Sequence, residues 1–233
     1  MNGQHNQRQV WNKFWQGQDF TGFTVKEYHR DIKRIIDAAA KSGGTSIEIG
    51  SGIGITSLIL SENMACTLLD YDAYILERAA LLFKRQQREA CFFCCDMFHL
   101  DEIPEKYDVV FNSGVVEHYT VEERARLLRE YKKVLKPDGV MVIAVPNHYC
   151  LPYKLGYVAL RMAGRWMFPK EYAIKNLSRE LREAGLVLQE CIIASDNLIE
   201  DSIKSRWLKR IYRWAKKIFR FQGYLRVFII RHS

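Results

Sequence analysis

The chain of 233 residues is too long for a disulfide-stapled miniprotein and long enough for one sizeable α/β core. Its 48% hydrophobic and 27% charged content excludes disorder for the bulk of the sequence. The formal charge of +8 is lopsided: residues 1–197 hold 25 Lys/Arg and 25 Asp/Glu, so the whole excess falls on residues 198–233, where ten Lys/Arg stand against Glu200 and Asp201. Residues 139–145 form the longest apolar run, far short of the ~20 residues that span a bilayer. The polar start MNGQHNQRQV carries no apolar signal segment, and the expected location is cytoplasmic.

In chain order, helices are expected over residues 8–16 and 24–41. In the second, Val25, Tyr28, Ile32, Ile35, Ile36 and Ala39 recur at helical spacing before a stop at Ser42-Gly43-Gly44. Short apolar strands follow at 45–49, 66–70, 91–95, 107–112 and 140–145, separated by helices near 55–64, 73–88 and 121–135. Strand–helix alternation with strands that lack a polar face predicts a doubly wound α/β fold, its parallel sheet covered on both sides. After Pro146, residues 148–170 are rich in aromatics and lack a strand pattern. A helix at 176–184 ends at Gly185, and strands are expected at 186–195 and 224–232, with one long basic helix over about 199–220 between them. The absence of repeats, linkers and low-complexity tracts predicts a single domain over 1–233.

Cys91, Cys94 and Cys95 sit in one strand, where side chains alternate faces. They are therefore expected as buried core residues, and no metal is expected.

The strand at 45–49 runs into Glu48-Ile49-Gly50-Ser51-Gly52-Ile53-Gly54 and then a helix. Glycines there let a ligand lie against bare backbone. The dinucleotide fingerprint needs its third glycine at Ile55, one residue beyond Gly54, so a pyrophosphate is not the expected ligand. Asp70 ends the second strand, where an acid meets ribose hydroxyls in such folds. Asp96 ends the third and is placed to accept from an exocyclic amine. Asn112, Ser113 and Gly114 follow the fourth. All lie at the carboxyl ends of adjacent strands, the crevice in which open α/β sheets bind ligands.

The segments IEIGSGIG (47–54), LLDYDAYILERA (68–79), CCDMF (94–98), YDVVFNSGVVEHY (107–119) and LLREYKKVLKPDGVMVIAVPN (127–147) resemble class I S-adenosylmethionine-dependent methyltransferases. The resemblance spans residues 30–195 and is strongest to the group acting on quinone precursors, sugars and lipids. It implies a Rossmann-like seven-stranded sheet whose last strand runs antiparallel beside the fifth, with S-adenosyl-L-methionine as cofactor. Glu48, Gly50, Ser51 and Gly52 would hold the methionine moiety, Asp70 and Tyr71 the ribose, and Asp96 with Met97 the adenine. Asn112 and Ser113 would close the site from the fourth strand. Residues 1–44 then form a helical cap, 45–147 the cofactor core, 148–175 an acceptor lid and 176–233 a C-terminal half carrying the basic helix.

For the chemistry, His118 titrates near neutrality and is the expected base for a hydroxyl acceptor, with Glu117 beside it. Some quinone O-methyltransferases bind a divalent cation through two acids and a histidine in this segment, but here Gly114 stands where one acid would be. A nucleic-acid base is disfavoured as acceptor, because Asn112-Ser113-Gly114-Val115 replaces the Asp/Asn-Pro-Pro-aromatic element of amino-base methyltransferases. The expected acceptor is an apolar or lipid-linked small molecule, O-methylated near the inner membrane face. An RNA or tRNA methyltransferase and a non-catalytic cofactor-binding scaffold stand as alternatives. For residues 199–220, an anionic membrane surface, plain packing on the sheet and a nucleic-acid grip are all open.

Overall fold

In the computed structural model, residues 2–18, 20, 22–40 and 43–233 are described, the first of them (2–6) as backbone only; Ser42, assigned above to a helix stop, lies outside them. Seven strands form one sheet in the order β3-β2-β1-β4-β5-β7-β6. They are β1 (Thr45–Ile49), β2 (Ala65–Asp70), β3 (Ala90–Cys94), β4 (Tyr107–Ser113), β5 (Leu135–Pro146), β6 (Leu186–Ala194) and β7 (Leu225–His232). The pairs from β3 to β5 are parallel, whereas β7 is antiparallel to both β5 and β6. The chain reverses direction across the sheet between β1 and β4, and a crevice opens there at the strands' carboxyl ends.

Residues 140–145 of β5 are apolar on both faces because both faces are covered. In β5, Met141, Ile143 and Val145 join one core cluster, while Val140, Val142 and Ala144 join the other. The first cluster lies under α5 (Val121–Lys133) and α7 (Ser178–Ala184); the second lies under α2 (Glu27–Ala39) and α4 (Ala73–Arg85). Local signals set the helix ends. Thr120 accepts from Glu123 N and the Glu123 side chain accepts from Thr120 N, a capping box that starts α5. Gly185 ends α7 in the left-handed conformation. Arg124 and Glu180, both buried, tie α5 to α7 at 2.7 Å.

Three expectations are corrected. Cys91 and Cys94 are exposed and Cys95 is half-buried, because β3 is an edge strand whose outer side is uncovered. The basic segment forms two helices, α8 (Leu198–Ser202) and α9 (Arg206–Phe219). The break arises because Ser202 Oγ bonds back to Leu198 O, while Ser205 accepts from Leu208 N and caps a new helix. Strand β5 begins at Leu135, well before residue 140, with an irregular register opposite Tyr107 and Val109. Two further helices flank the sheet: α1 (Asn2–Gln16) near its carboxyl edge, and α6 (Leu151–Met162) after β5; α3 (Ile55–Ile59) follows the glycine turn.

Candidate active site

A cavity of about 500 Å³ occupies the crevice, within the size range of small-molecule sites. Its floor is the glycine turn after β1. Gly50 and Gly52 have φ of 68° and 54°, and a Cβ would stand 2.9 Å from Val115 Cγ2 at the first and 2.7 Å from Trp15 Cζ2 at the second. Only glycine fits such a cradle, and the turn is anchored by Gly50 N and Ser51 N, both donating to Leu69 O at 2.8 and 3.0 Å.

Asp70 is 6% exposed, at the end of β2. It accepts from Gly52 N at 3.0 Å and from Asp72 N at 3.1 Å. The helix α4 is capped by Asp72, which accepts from Tyr74 N, so Asp70 is not spent on a helix end. Burial pushes the Asp70 carboxyl up to about 6 despite those hydrogen bonds. Glu48, also buried, accepts from Ser57 N and Oγ at 3.2 and 2.6 Å, and burial pushes it up to about 7. Asp96 accepts from Phe98 N at 3.0 Å and is paired with Arg8 of α1. Tyr71 donates to Asn12 Oδ1 at 2.9 Å, and Met97 Sδ accepts from Tyr131 Oη at 3.6 Å.

The cavity brings together Glu48, Gly50, Ser51, Gly52, Asp70, Tyr71, Asp96, Met97, Ser113, Glu117 and His118. Asn112 is the exception and is corrected. It is fully buried, with Nδ2 donating to Tyr131 Oη at 3.1 Å beneath the site, because successive side chains of β4 alternate faces and Ser113 takes the position at the cavity.

The far end of the cavity is polar below and aromatic above. Glu117 and His118 lie on a 3₁₀ turn, Val116–His118, after β4. His118 Nδ1 lies 3.2 Å from Lys170 O. A carbonyl can only accept, so Nδ1 carries the proton and Nε2 holds the lone pair. Burial lowers the His118 pKa, outweighing the Lys170 carbonyl and Glu171, and the ring is neutral at neutral pH. Glu117 is 1% exposed; its Oε1 lies 3.8 Å from His118 Nε2 and its Oε2 has no hydrogen-bond partner among the described residues. Burial and then the neighbouring Glu171 raise its carboxyl well above the ordinary range. Glu171 accepts from Tyr153 Oη at 2.7 Å and His148 Nε2 at 2.8 Å.

A helical cap over 1–44 and an acceptor lid over 148–175 were expected, but the α1 residues of the roof were not singled out. Trp11, Phe14 and Trp15 of α1 line the cavity with Phe168, and the Trp11 ring lies 5.4 Å from His118. Their i, i+3, i+4 spacing on a polar helix was the available signal. Glu171, Tyr28 and Tyr224, brought in by tertiary structure, had none.

The site fits S-adenosylmethionine: a substituent-free turn for close approach, a buried acid ending β2 for hydroxyl donors, and the partly buried Asp96 just after β3 for an amine donor. A family described as a methyltransferase domain matches residues 47–143. The chain is 30% identical over 124 residues to the N-terminal Xaa-Pro-Lys N-methyltransferase 1 of Bos taurus, covering 51% of this chain and 56% of the relative. It thus spans about half the length of the curated relatives it matches. Among solved structures, an S-adenosylmethionine-dependent methyltransferase from Clostridium acetobutylicum aligns with a TM-score of 0.64 at 13% identity, covering 96% of this chain and 99% of that one. The N-methyltransferase NodS from Bradyrhizobium japonicum, solved with S-adenosyl-l-homocysteine, aligns with a TM-score of 0.58 at 14% identity, covering 88% and 86%. The sheet order and glycine turn thus go with a methyltransferase-domain match over residues 47–143, and the fold is that of the class I S-adenosylmethionine-dependent methyltransferases to which the chain is similar.

Proposed function

We propose that this enzyme methylates a hydroxyl group of a small, partly apolar or lipid-linked acceptor, with His118 as general base. The observation that carries the reading is the 3.2 Å contact between His118 Nδ1 and Lys170 O at the cavity wall, which assigns the proton to Nδ1 and leaves the Nε2 lone pair free to accept. When bound, the cofactor supplies an electrophilic methyl group on a sulfonium. Asp70 and Asp96 would hold its ribose and adenine, and Gly50 and Gly52 would let its methionine moiety lie on the backbone. His118 Nε2 then takes the proton of the acceptor hydroxyl as the oxygen becomes nucleophilic, and Glu117 and Glu171 orient further polar groups of the acceptor. Trp11, Phe14 and Phe168 exclude water and give the apolar part of the acceptor its contact surface.

The same end of the cavity supports a second reading, methylation of a small amine. The two buried carboxyls Glu117 and Glu171 suit a cationic group, and the curated relatives methylate a peptide N-terminus by name. Transfer of labelled methyl groups to a panel of isoprenoid phenols, simple alcohols and Xaa-Pro-Lys peptides separates the two. Turnover confined to hydroxyl acceptors, lost in His118→Gln with cofactor affinity retained, is the expected outcome. Turnover confined to amines, or a fully active His118→Gln, would overturn the proposal.

A further inference from the structure

The helix α9 has no buried residue, although it is strongly two-faced. Trp207, Ile211, Trp214 and Ile218 recur at i, i+4, i+7 and i+11 and form one exposed stripe, with the two tryptophans 68% and 64% exposed. The opposite arc is basic: six Lys/Arg and no acid fall between Arg206 and Phe219. Part of that arc holds the helix to the body. Lys209 pairs with Asp201 at 3.2 Å, Arg213 with Glu200 at 2.6 Å, and Lys216 donates to Asp196 O at 2.6 Å. Arg206, Arg210 and Lys217 border the tryptophan stripe and have no ion pair among the described residues.

A second bare stripe is rooted beside it. On α6, Leu151, Leu155, Val158 and Met162 repeat the same spacing and are exposed, while Tyr153 and Tyr157 point inward toward Glu171. Asn147, just before α6, bonds to Gln222, Gly223 and Tyr224, just after α9.

We propose that α9 is an interfacial anchor that lies in the plane of an anionic lipid bilayer, its tryptophan stripe in the headgroup region and Arg206, Arg210 and Lys217 against lipid phosphates and carboxylates. Charge complementarity selects this occupant. A second copy of the chain would bring the same cations face to face, with no acid on the helix to answer them. A nucleic acid would use the cations but leave Leu208, Ile211 and Ile218 against water. An anionic bilayer satisfies both faces at once, and tryptophan favours its interface. No helix among the described residues is long and apolar enough to cross a membrane, so contact of this kind is with one leaflet. The inference does not depend on which atom accepts the methyl group.

The test is flotation of the full chain with vesicles of phosphatidylcholine, with and without phosphatidylserine, alongside cofactor titration as a check of folding. Binding is expected only with phosphatidylserine and is expected to fall with added salt. Replacing Arg206, Arg210 and Lys217 together by Gln should weaken it on the order of 100-fold. Trp207→Ser with Trp214→Ser should weaken it comparably with cofactor affinity unchanged. Binding unaffected by either variant, or absent from protein that still binds the cofactor, would overturn the anchor. So would a dimer that Trp214→Ser dissociates, or retention on RNA without flotation. Loss of methyl transfer with intact flotation would count against the proposed activity alone.

Discussion

Replacing Asp70 by Asn should move stability and cofactor affinity in opposite directions. The carboxyl is almost fully buried, and burial lifts it from 3.8 to about 6. That displacement corresponds to about 3 kcal/mol by which the ionised form burdens the ligand-free fold above about pH 7. Because the folded value lies above the unfolded one, the favourable protonated state is fully available below about pH 4 and is lost as the pH rises through about 6. Asn removes the charge but turns its amide NH₂ toward one of the two N–H donors, Gly52 or Asp72, at a cost of about 1–2 kcal/mol. The balance is a ligand-free variant more stable by about 1 kcal/mol near pH 8, or about 2–4 °C in Tm for a chain of this size. That gain disappears near pH 4, where the wild-type carboxyl is already neutral. Affinity for S-adenosylmethionine should fall about 10- to 100-fold, since a charge-assisted hydrogen bond to ribose is worth about 1.5–3 kcal/mol. Calorimetric melting at both pH values and isothermal titration measure the two effects on one preparation. A ligand-free variant melting below wild type at the higher pH would refute the desolvation argument, and unchanged affinity would remove Asp70 from the cofactor site.

Other perturbations reach the remaining parts of the site and core. His118→Gln should lower kcat by about 10²- to 10⁴-fold, and wild-type kcat/KM should rise with pH through a group titrating below the ordinary 6.5 of histidine, then stay level above about pH 7. A rising limb centred well above that value would point to another base. Gly52→Ala should weaken cofactor binding and cost about 1–3 kcal/mol of stability, because its Cβ meets Trp15 at 2.7 Å and φ is 54°. Relief by the further change Trp15→Leu would locate the clash at the ring. Arg124→Met should destabilise by about 3–5 kcal/mol, leaving Glu180 buried without its partner. Adding Glu180→Leu should recover most of the loss in a denaturant titration.

The parts of this molecule legible in the sequence are those where one local requirement leaves little choice. Buried parallel strands favour short, mainly apolar stretches between helices, and β1, β4 and β5 were legible as such stretches in a strand–helix alternation. The same pattern misled at β3, since CFFCC is apolar enough for a central strand and nothing local marks it as the sheet's edge. The glycine turn and the acids ending β2 and β3 were found because backbone approach and hydroxyl recognition call for those residue types at those places. Asn112 and Ser113 were both expected at the site, and only Ser113 lines the cavity. Strand parity sends Asn112 to Tyr131 and Ser113 to the cavity, and parity is decided by which face α5 covers, a tertiary fact.

The roof and the polar end were illegible for a related reason. Trp11, Phe14 and Trp15 mark an apolar face on α1, yet an apolar face says that something is covered and not what. Glu171 reaches Glu117 from a loop segment after α6 with no regular pattern, so its carboxyl carries no local mark of the site. The basic segment shows the converse. Its periodicity was plain but left packing and membrane open, with nucleic acid less favoured; the fold leaves the tryptophan stripe bare and uses only part of the basic arc to hold the helix. Amphipathicity in a sequence states that two environments meet at a helix, and only the surrounding fold reveals that the second environment is not the protein itself.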